Sequence, residues 1–390
     1  MRLLTTIILL PLFAVLHAQK VDVYAGVDKT MAQIPDSSTH SAPSIARYIT
    51  AHFATPADKA RAAFVWVAKN TRYDVENMYA QNIYHDVNEL VEKVLKTHKG
   101  VCAHYAQLFS AILTEMHMKN YVIAGYTKQN GRVANLPHSW CGALINGSWF
   151  LFDPTWGAGF VQNGKYVARF NNAYFMVKPE VLISTHMPFD PLWQFSNNPL
   201  TNAEFIEGNM VNKKKGLFFH YADSLRRYDR QSTIEQLIAS TRRIEQNGVL
   251  NKMIDDMSQN NQHDIVYWKN KAAVDKFNVA VHTYNDGIAL LNRFIDYRNN
   301  QFTPKKEDKE IQSMVDEAEN VLLNSREQLW GIRDTDGNTA NSMAQLNKSI
   351  ENALGSVNEQ KLFLAKYFKT GKLFRKTRFV KYSVMGVPVN

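Results

Sequence analysis

The sequence predicts an α+β fold in its first half, with a cysteine-bearing helix packed on an antiparallel sheet, and an all-α antiparallel helical bundle in its second half. Three observations support this prediction. An apolar-periodic helix starts near Val101, an Asn146-Gly147 dipeptide joins two β-rich runs, and heptad spacing dominates beyond about residue 206. An apolar content of 45% is typical of a globular protein, and 390 residues favour two domains.

Residues 1–18 are typical of a secretory signal peptide. Arg2 provides a short positive region, residues 3–16 form an apolar run, and Ala18 offers a small side chain for cleavage. The run is too short for a transmembrane span, and no later segment is apolar for long enough to be one. We therefore expect a secreted or periplasmic protein whose mature chain begins near Gln19.

Regular elements of the first half follow from periodicity and capping signals. Thr55 can cap the second helix, and Pro56 suits its first turn. Beyond the cysteine-bearing helix, the period changes from that of helices to that of strands. The expected helices lie at 44–50, 56–70, 88–96 and 101–116, and the expected strands at 121–127, 139–145 and 148–152.

Three heptad seams predict the helical bundle. Apolar residues step by three and four along each seam, which is typical of helices that pack on one another. Each seam is too short for a long parallel coiled coil. Breaks at 301–306 and 334–338 separate the helices. The seams are Val274, Phe277, Val281, Tyr284, Ile288, Leu291 and Ile295; Ile311, Met314, Ala318, Val321 (or Leu322), Ser325 and Leu329; and Met343, Leu346, Ile350, Ala353 and Val357.

The positive charge is concentrated near the C-terminus. Eight Lys and Arg residues lie between Lys361 and Lys381, and no acidic residue follows Glu359, whereas the whole chain carries a net charge of +9. A basic tail at 366–390 is expected, either as a solvated terminus or as a surface for an anionic partner. Aromatic residues such as Phe368 indicate that part of it packs. No nucleic-acid motif accompanies the tail, so no nucleic-acid partner is expected.

The Asn146-Gly147 hairpin determines which residues face one another. A tight turn centred there pairs positions whose numbers sum to 293, so Trp140 lies opposite Asp153. His138 is then the diagonal neighbour of Asp153. Because strand side chains alternate, His138, Trp140 and Asp153 share one face, and Cys141 points to the other. The hairpin therefore predicts contact between an imidazole and a carboxylate.

Cys102 supplies the third component of a Cys-His-Asp site. It follows Gly100 at a helix start, where the helix dipole and a neighbouring imidazolium favour the thiolate. We expect this helix to pack on the face of His138, which would act as acid and base while Asp153 holds its tautomer. The backbone N–H of Cys102 is an oxyanion donor; the side chains considered for a second donor are Trp66, Gln81 and Asn82.

Two other interpretations of these residues are weaker. An oxidising compartment allows a disulfide between Cys102 and Cys141, but the alternation of the strand directs Cys141 away from Cys102. Cys102 and His104 lie two residues apart on different faces of a helix, so they do not form a metal site. No metal and no cofactor is therefore expected.

Blocks of sequence around these residues add a family resemblance. Residues 100–109, 138–140 and 147–157, preceded by 59–70 with Tyr73-Asp74, resemble the transglutaminase-like superfamily of papain-type cysteine enzymes. Residues 186–195 resemble its kyphoscoliosis-peptidase branch. The resemblance spans 44–205 and implies that Cys102 is the nucleophile, His138 the acid and base, and Asp153 the orienting group, acting on an amide through a thioester. One departure is Ser139-Trp140-Cys141, where relatives commonly have Ala-Trp-Asn.

These observations predict an exported cysteine hydrolase of peptide or isopeptide bonds. The alternatives are a protein-glutamine acyl transferase that crosslinks proteins and a noncatalytic scaffold with a vestigial triad. The expected partners are a protein or peptide substrate, with a cell-wall peptide as one class, and a protein bound by the bundle. The predicted organisation is a signal peptide at 1–18, a transglutaminase-like catalytic domain at 19–205, a helical bundle at 206–365 and a basic tail at 366–390.

Overall fold

The computed structural model describes residues 23–80, 86–208, 219–333 and 335–379. The predicted signal peptide, Gln81, Asn82 and the end of the basic tail lie outside these residues. The helices are α1 (Ala25–Met31), α2 (Ala42–His52), α3 (Pro56–Asn70), α4 (Val87–Thr97), α5 (Cys102–Glu115), α6 (Pro154–Ala158), α7 (Pro179–Leu182), α8 (Asn202–Glu207), α9 (Tyr221–Tyr228), α10 (Thr233–Gln246), α11 (Lys252–Asn299), α12 (Asp308–Trp330) and α13 (Gly337–Lys369). The strands are β1 (Arg72–Tyr73), β2 (Lys99–Gly100), β3 (Asn120–Gln129), β4 (Arg132–Ile145), β5 (Ser148–Phe152), β6 (Gly159–Gln162), β7 (Lys165–Ala168) and β8 (His186–Pro188).

The chain divides into two compact units. The first comprises the residues up to Arg230 together with Arg242–Ser258, and the second comprises Gln231–Thr241 and the residues from Gln259 onwards. Among the helices that the structure describes, none has both the length and the apolar character needed to cross a membrane.

A four-stranded antiparallel sheet forms the centre of the first unit, in the order β5-β4-β3-β8. In the hairpin of β4 and β5, Ile145 lies opposite Ser148, and every pair of the ladder keeps the predicted register. Asn146 and Gly147 have φ values of 50° and 82°, which suit a tight turn between twisted strands. The predicted hairpin and its register are therefore confirmed.

The two faces of this sheet are covered differently. Cys141 and Ala143 point into a core formed with α2, α3, α4 and α5. Trp140 belongs to a second core on the opposite face, which is closed by residues after β8 such as Phe195. A methyl group at Gly142 would lie only 2.8 Å from the Phe195 ring, so Phe195 packs tightly against this face of the sheet. The first unit is thus an α+β arrangement in which α5 packs on the Cys141 face.

In the second unit, α11, α12 and α13 form an antiparallel bundle. One apolar cluster joins the end of α11, the start of α12 and the end of α13, through residues such as Phe294, Ile311 and Leu364. Another joins an earlier part of α11 to the end of α12 and the start of α13, through Ala280, Leu329 and Ile350. Neighbouring helices therefore run in opposite directions, as the short connections predict.

The bundle confirms two of the three predicted seams and confirms the third, on α11, only in part, since Leu291 is buried there as predicted. On α12, Leu322 rather than Val321 is fully buried. On α11, the buried positions include Ala273, Ala280 and Gly287, one residue before the predicted Val274, Val281 and Ile288. A methyl group at Gly287 would lie 2.8 Å from the Leu322 side chain. Small residues thus face the neighbouring helix because they permit close approach.

Part of the predicted basic tail is packed. After α13, the segment Lys372–Phe379 forms a 3-10 helix. The Phe379 ring lies 5.5 to 5.7 Å from the rings of Phe302, Phe363 and Tyr367. Arg375 makes a two-pronged contact with Asp308 at 2.6 and 2.7 Å. The described part of the tail is therefore anchored to the bundle, as its aromatic residues indicated.

Candidate active site

Cys102 is the first residue of α5. Gly100 lies just before it in β2, and a methyl group there would approach the His104 Cβ within 2.5 Å, so the chain needs a glycine. The Val101 N–H donates to His104 Nδ1 at 3.3 Å, which satisfies one of the unpaired donors at this helix start. The Cys102 side chain is partly exposed, and its thiol is free. It therefore lies at a helix N-terminus, where the dipole favours negative charge.

His138 and Asp153 meet beside this cysteine. His138 Nε2 lies 2.8 Å from Asp153 Oδ2. The imidazole packs against Trp140 and Trp156, with ring centroids 6.1 and 5.5 Å away. Because Nε2 is directed at the carboxylate, Nδ1 is the nitrogen that remains for Cys102. The structure therefore contains the diagonal contact that the hairpin register predicts.

The Asp153 carboxylate is fully buried and surrounded by N–H groups. Its Oδ1 accepts the backbone N–H groups of Thr155 and Trp156 at 2.9 and 3.1 Å. Asp153 is the N-cap of α6, and α6 begins where β5 ends. The strand and the helix together fix the carboxylate, and hydrogen bonds to a buried anion offset its loss of hydration.

His186 is a site residue that the sequence did not reveal. It lies on β8 with 1% of its surface exposed, and its Nε2 lies 3.1 Å from Asp153 Oδ2. Its Nδ1 contacts Thr185 Oγ1 at 2.8 Å. The block 186–195 entered the resemblance, but β8 is only three residues long and pairs with β3 far back in the chain. No turn signal could have indicated that pairing.

The two histidines differ in charge. Burial would lower the pKa of His138, but the Asp153 carboxylate and Cys102 raise this pKa to about 10. Burial also lowers the pKa of His186, and the same carboxylate offsets this only in part. For Asp153, burial would raise the pKa, whereas His138 and then His186 hold it far below its ordinary value. At neutral pH, His138 is therefore an imidazolium, Asp153 a carboxylate and His186 a neutral imidazole.

Cys102 approaches His138 from an edge of the sheet. We expected α5 to pack on the face of His138, and this prediction is wrong: α5 packs on the opposite face, where the Cys141 thiol donates to the Ala106 carbonyl at 3.2 Å. β4 and β5 pair only as far as Cys141, so β5 ends before it reaches His138. Cys102 Sγ lies 4.0 Å from the carbonyl oxygen of Pro137. The thiol therefore lies beside the part of β4 that carries His138.

Of the side chains considered for a second oxyanion donor, Trp66 is the one that the structure describes. Trp66 is buried in α3, and its indole N–H has no hydrogen-bond partner among the described residues. It lines a cavity of about 410 Å³ together with Met31 and His98. Trp66 is thus part of the core and of that cavity, and no contact links it to Cys102.

Tyr73 is a further polar side chain near Cys102. Its backbone pairs with Gly100, two residues before Cys102. Burial, with added effects from Cys102 and Asp153, raises the pKa of Tyr73 well above its ordinary value. Its hydroxyl therefore stays protonated and is a hydrogen-bond donor at the edge of the site.

The histidines and Asp153 also have the chemistry of metal ligands. His138, Asp153 and His186 each offer one ligand atom, and these atoms lie within 4.8 Å of one another. Sequence spacing indicated no such group, because its members come from three separate elements. The 2.8 and 3.1 Å contacts are ordinary hydrogen-bond lengths, so imidazole N–H groups satisfy the carboxylate as the group stands.

Comparison with known proteins shows which family this part of the chain is similar to. Residues 43–154 match the model of the transglutaminase-like superfamily, and the match includes Cys102, His138 and Asp153. The matched segment resembles a transglutaminase-like domain. His186 lies beyond the matched segment. The recognition of this superfamily from the sequence blocks is therefore confirmed, as is the α+β fold in which a cysteine helix packs on an antiparallel sheet.

Several known proteins are similar to part of this chain. Kyphoscoliosis peptidase of Mus musculus is 29% identical over 166 residues, which are 40% of this chain and 24% of the relative. The Lim and transglutaminase domain protein ltd-1 of Caenorhabditis elegans is 23% identical over 51% of this chain and 29% of its own. The chain spans about a quarter of the length of the curated relatives it matches. Among solved structures, the periplasmic domain of TgpA from Pseudomonas aeruginosa is 21% identical, with a TM-score of 0.25 over 33% of this chain and 46% of that one.

Proposed function

We propose that the protein is an exported cysteine hydrolase that cleaves peptide or isopeptide amide bonds with Cys102, His138 and Asp153. The observation that supports this most is the 2.8 Å contact between His138 Nε2 and Asp153 Oδ2, because it leaves Nδ1 to serve a cysteine at a helix start. Hydrolysis is preferred to transfer because water needs no dedicated acceptor site.

In the first half of the proposed reaction, the Cys102 thiolate attacks the carbonyl carbon of the amide and forms an S–C bond. The backbone N–H of Cys102 stabilises the oxyanion. His138 then gives the proton on Nδ1 to the leaving nitrogen, so that the C–N bond breaks and the free amine departs. The enzyme retains the acyl group as a thioester, and His138 is neutral.

In the second half, water enters where the amine left. His138 Nδ1 takes a proton from this water as its oxygen attacks the thioester carbonyl. The C–S bond breaks, the product leaves as a carboxylic acid, and the thiolate and imidazolium are restored. Throughout, Asp153 keeps the other proton on Nε2, which holds the imidazole in the tautomer that both steps require.

The domains, the substrate and the bundle also have proposed roles. We propose that residues 19–205 are the catalytic domain, that the substrate is a protein or peptide met outside the cytoplasm, and that the bundle at 206–365 recruits a protein partner. A cell-wall peptide is one substrate class that fits export and a basic terminus.

A peptide library read by mass spectrometry tests the reaction. The full chain should release new carboxyl termini, and Cys102→Ala should abolish the release. Cys141→Ala is the matched control, because Cys141 is a free but fully buried thiol on β4; it should retain activity. Iodoacetamide at mildly acidic pH should label Cys102 faster than a model thiol, since a helix N-terminus and a neighbouring imidazolium activate a cysteine.

Two outcomes would replace the hydrolase by another function. Incorporation of a fluorescent primary amine into a glutamine-rich protein, without release of carboxylate, would identify an acyl transferase. Unchanged biological effect in Cys102→Ala, together with alkylation no faster than that of a model thiol, would identify a scaffold with a vestigial triad.

A further inference from the structure

His186 is buried with no route to a substrate, yet it shares the carboxylate oxygen that serves His138. The Nε2 atoms of His186 and His138 lie 3.1 and 2.8 Å from the same Oδ2 of Asp153. Aromatic rings enclose His186: its centroid lies 4.6 Å from Trp156 and 5.2 Å from Trp140. A polar side chain in such surroundings costs free energy unless it is fully hydrogen-bonded.

The contacts of His186 fix its tautomer. A carboxylate only accepts hydrogen bonds, so His186 must present a proton on Nε2. In the neutral ring, Nδ1 then carries a lone pair, and the hydroxyl of Thr185 donates to it at 2.8 Å. The same hydroxyl lies 3.3 Å from the Leu182 carbonyl, which is the longer of its two contacts. A chain of donors thus runs from Thr185 through His186 to Asp153.

Other titratable groups near the three side chains leave this arrangement unchanged. Burial raises the pKa values of Tyr73, Tyr105, Tyr174 and Cys141, so these groups are neutral near pH 7. Cys102 faces His138 from the start of α5. One carboxylate can balance only one imidazolium, and His138 lowers the pKa of His186. His186 is therefore a neutral donor.

We propose that His186 is a positioning residue for the reaction at Cys102: its N–H holds Asp153 Oδ2 in place, so that His138 keeps Nδ1 directed at the thiol. This inference rests on the proposed function, because it assigns His186 a role in the same site. Without this donor, Oδ2 keeps only one directed hydrogen bond, and both the carboxylate and the His138 ring gain freedom. Misplacement of a reacting group by about 1 Å can cost about a hundredfold in rate.

Three variants of the full chain separate positioning from space filling. His186→Phe keeps a ring but removes the donor. His186→Gln keeps an amide N–H at a position close to that of Nε2. Met187→Leu is the control, because Met187 is fully buried on the same strand and does not contact Asp153. Circular dichroism establishes that each variant is folded.

The first measurement is the pH profile of Cys102 alkylation by iodoacetamide. In His186→Phe, the rate at pH 6 should fall at least about tenfold, and the acid limb of the profile should move to higher pH because the ion pair with His138 is weakened. His186→Gln should recover most of the rate, and Met187→Leu should match the parent. A parent-like profile in His186→Phe would overturn the proposal, since a role in packing alone would leave the ion pair intact.

The second measurement does not need a reactive cysteine. Side-chain ¹⁵N NMR of the parent and of Cys102→Ala should show His186 neutral and protonated on Nε2 at neutral pH. In His186→Phe, the ring signals of His138 should shift and broaden. A His186 that titrates near its ordinary pKa, or is protonated on Nδ1, would overturn the assignment. Slow Cys102 alkylation in the parent, with the expected NMR result, would instead contradict the hydrolase.

Discussion

The two units bury their polar side chains differently. In the first unit, six described residues of the charge-bearing types are buried: Arg61, His104, His138, Asp153, His186 and Asp190. In the described part of the second unit, the buried polar residues, such as Ser325 and Gln360, are all uncharged. Burying a charge is costly unless it is paired, and clusters of perturbed groups are typical of functional sites. The difference places the cluster of buried titratable groups, among the residues that the structure describes, in the first unit.

A buried charge alone does not identify a site, as two ion pairs of the first unit show. Arg61 holds both oxygens of Asp28 at 2.7 and 2.6 Å. Arg243 holds both oxygens of Asp190 at 2.7 Å. In each pair an arginine, which cannot give up its proton, saturates the carboxylate. Asp153 differs because both groups on its Oδ2 are imidazoles, and an imidazole can transfer a proton near neutral pH.

The largest expected effect comes from Asp153→Asn. The amide can still accept the N–H groups of Thr155 and Trp156, but its NH₂ would face the N–H groups of both histidines. His138 would then have to move its proton to Nδ1, which is the wrong tautomer for catalysis. Peptide hydrolysis by the folded protein should therefore fall about 10⁴-fold.

Asp190→Asn is the matched control for that variant. Asp190, like Asp153, is a buried aspartate that caps a helical turn and precedes proline. Breaking its pair with Arg243 should cost about 3–5 kcal/mol of stability and leave the hydrolysis rate of the folded protein unchanged. Equal losses of rate in the two folded variants would remove the distinction between structural and catalytic aspartates.

The next largest effect tests the bundle. Leu322→Ala should lower the free energy of unfolding of the second unit by about 2–5 kcal/mol, because Leu322 is fully buried and packs against Gly287. Hydrogen exchange of peptides from α12 measures this loss. The rate of Cys102 alkylation should not change. Leu362→Ala, at a 57% exposed position of α13, is the control and should have an effect near zero.

Sequence reasoning succeeded where the physical rule is local. The Asn146-Gly147 turn fixes the register of its own hairpin, so the contact between His138 and Asp153 followed from the turn and the alternation of side chains. The helix 56–70 was equally local: Thr55 accepts the Asp58 N–H at 3.1 Å, and Pro56 occupies the first turn. Such features depend on neighbours in sequence and need no knowledge of tertiary packing.

Features that depend on distant packing were missed. His186 reaches the site only because the short β8 pairs with β3. The face chosen by α5 depends on how the whole helical layer docks, which no strand pattern reveals. In the bundle, counting large apolar residues found Leu291 of the α11 seam but missed Ala280 and Gly287, which face the neighbouring helix as spacers. Small residues carry little hydrophobic signal, although they decide how closely two helices approach.

The pH dependence of stability should distinguish the buried histidines of the first unit. Burial, followed by Lys93, lowers the pKa of His104 to about 4. An unfolded chain binds this proton below about pH 6.5, so stability should decrease as the pH falls from 6.5 towards 4. His186, whose pKa is also lowered, acts in the same direction. Urea unfolding between pH 7 and 4.5 should therefore show a shallower acid loss in His104→Gln.

That result would contrast with the behaviour of His138. Its pKa is raised to about 10, so its proton stabilises the folded state fully below about pH 6.5, and this contribution is lost as the pH rises through 10. His138→Gln should therefore flatten the alkaline side of the stability profile and leave the acid side unchanged. Identical slopes in both variants would show that the two buried histidines do not differ in charge.

The smallest effect compares one glycine from each unit. A methyl group at Gly355 of α13 meets no atom within 4 Å, so Gly355→Ala should stabilise the bundle by about 0.5–1 kcal/mol through helix propensity alone. At Gly125 of β3, the same methyl group would lie 2.2 Å from the Met187 carbonyl oxygen and 2.5 Å from the Trp140 ring. Gly125→Ala must therefore displace β8, and with it His186, so the unfolding temperature and the rate of Cys102 alkylation should fall together. Thermal unfolding measures both effects. If both substitutions raise the unfolding temperature, the sheet tolerates rearrangement beside His138 and His186. Close packing would then not set the geometry of these histidines.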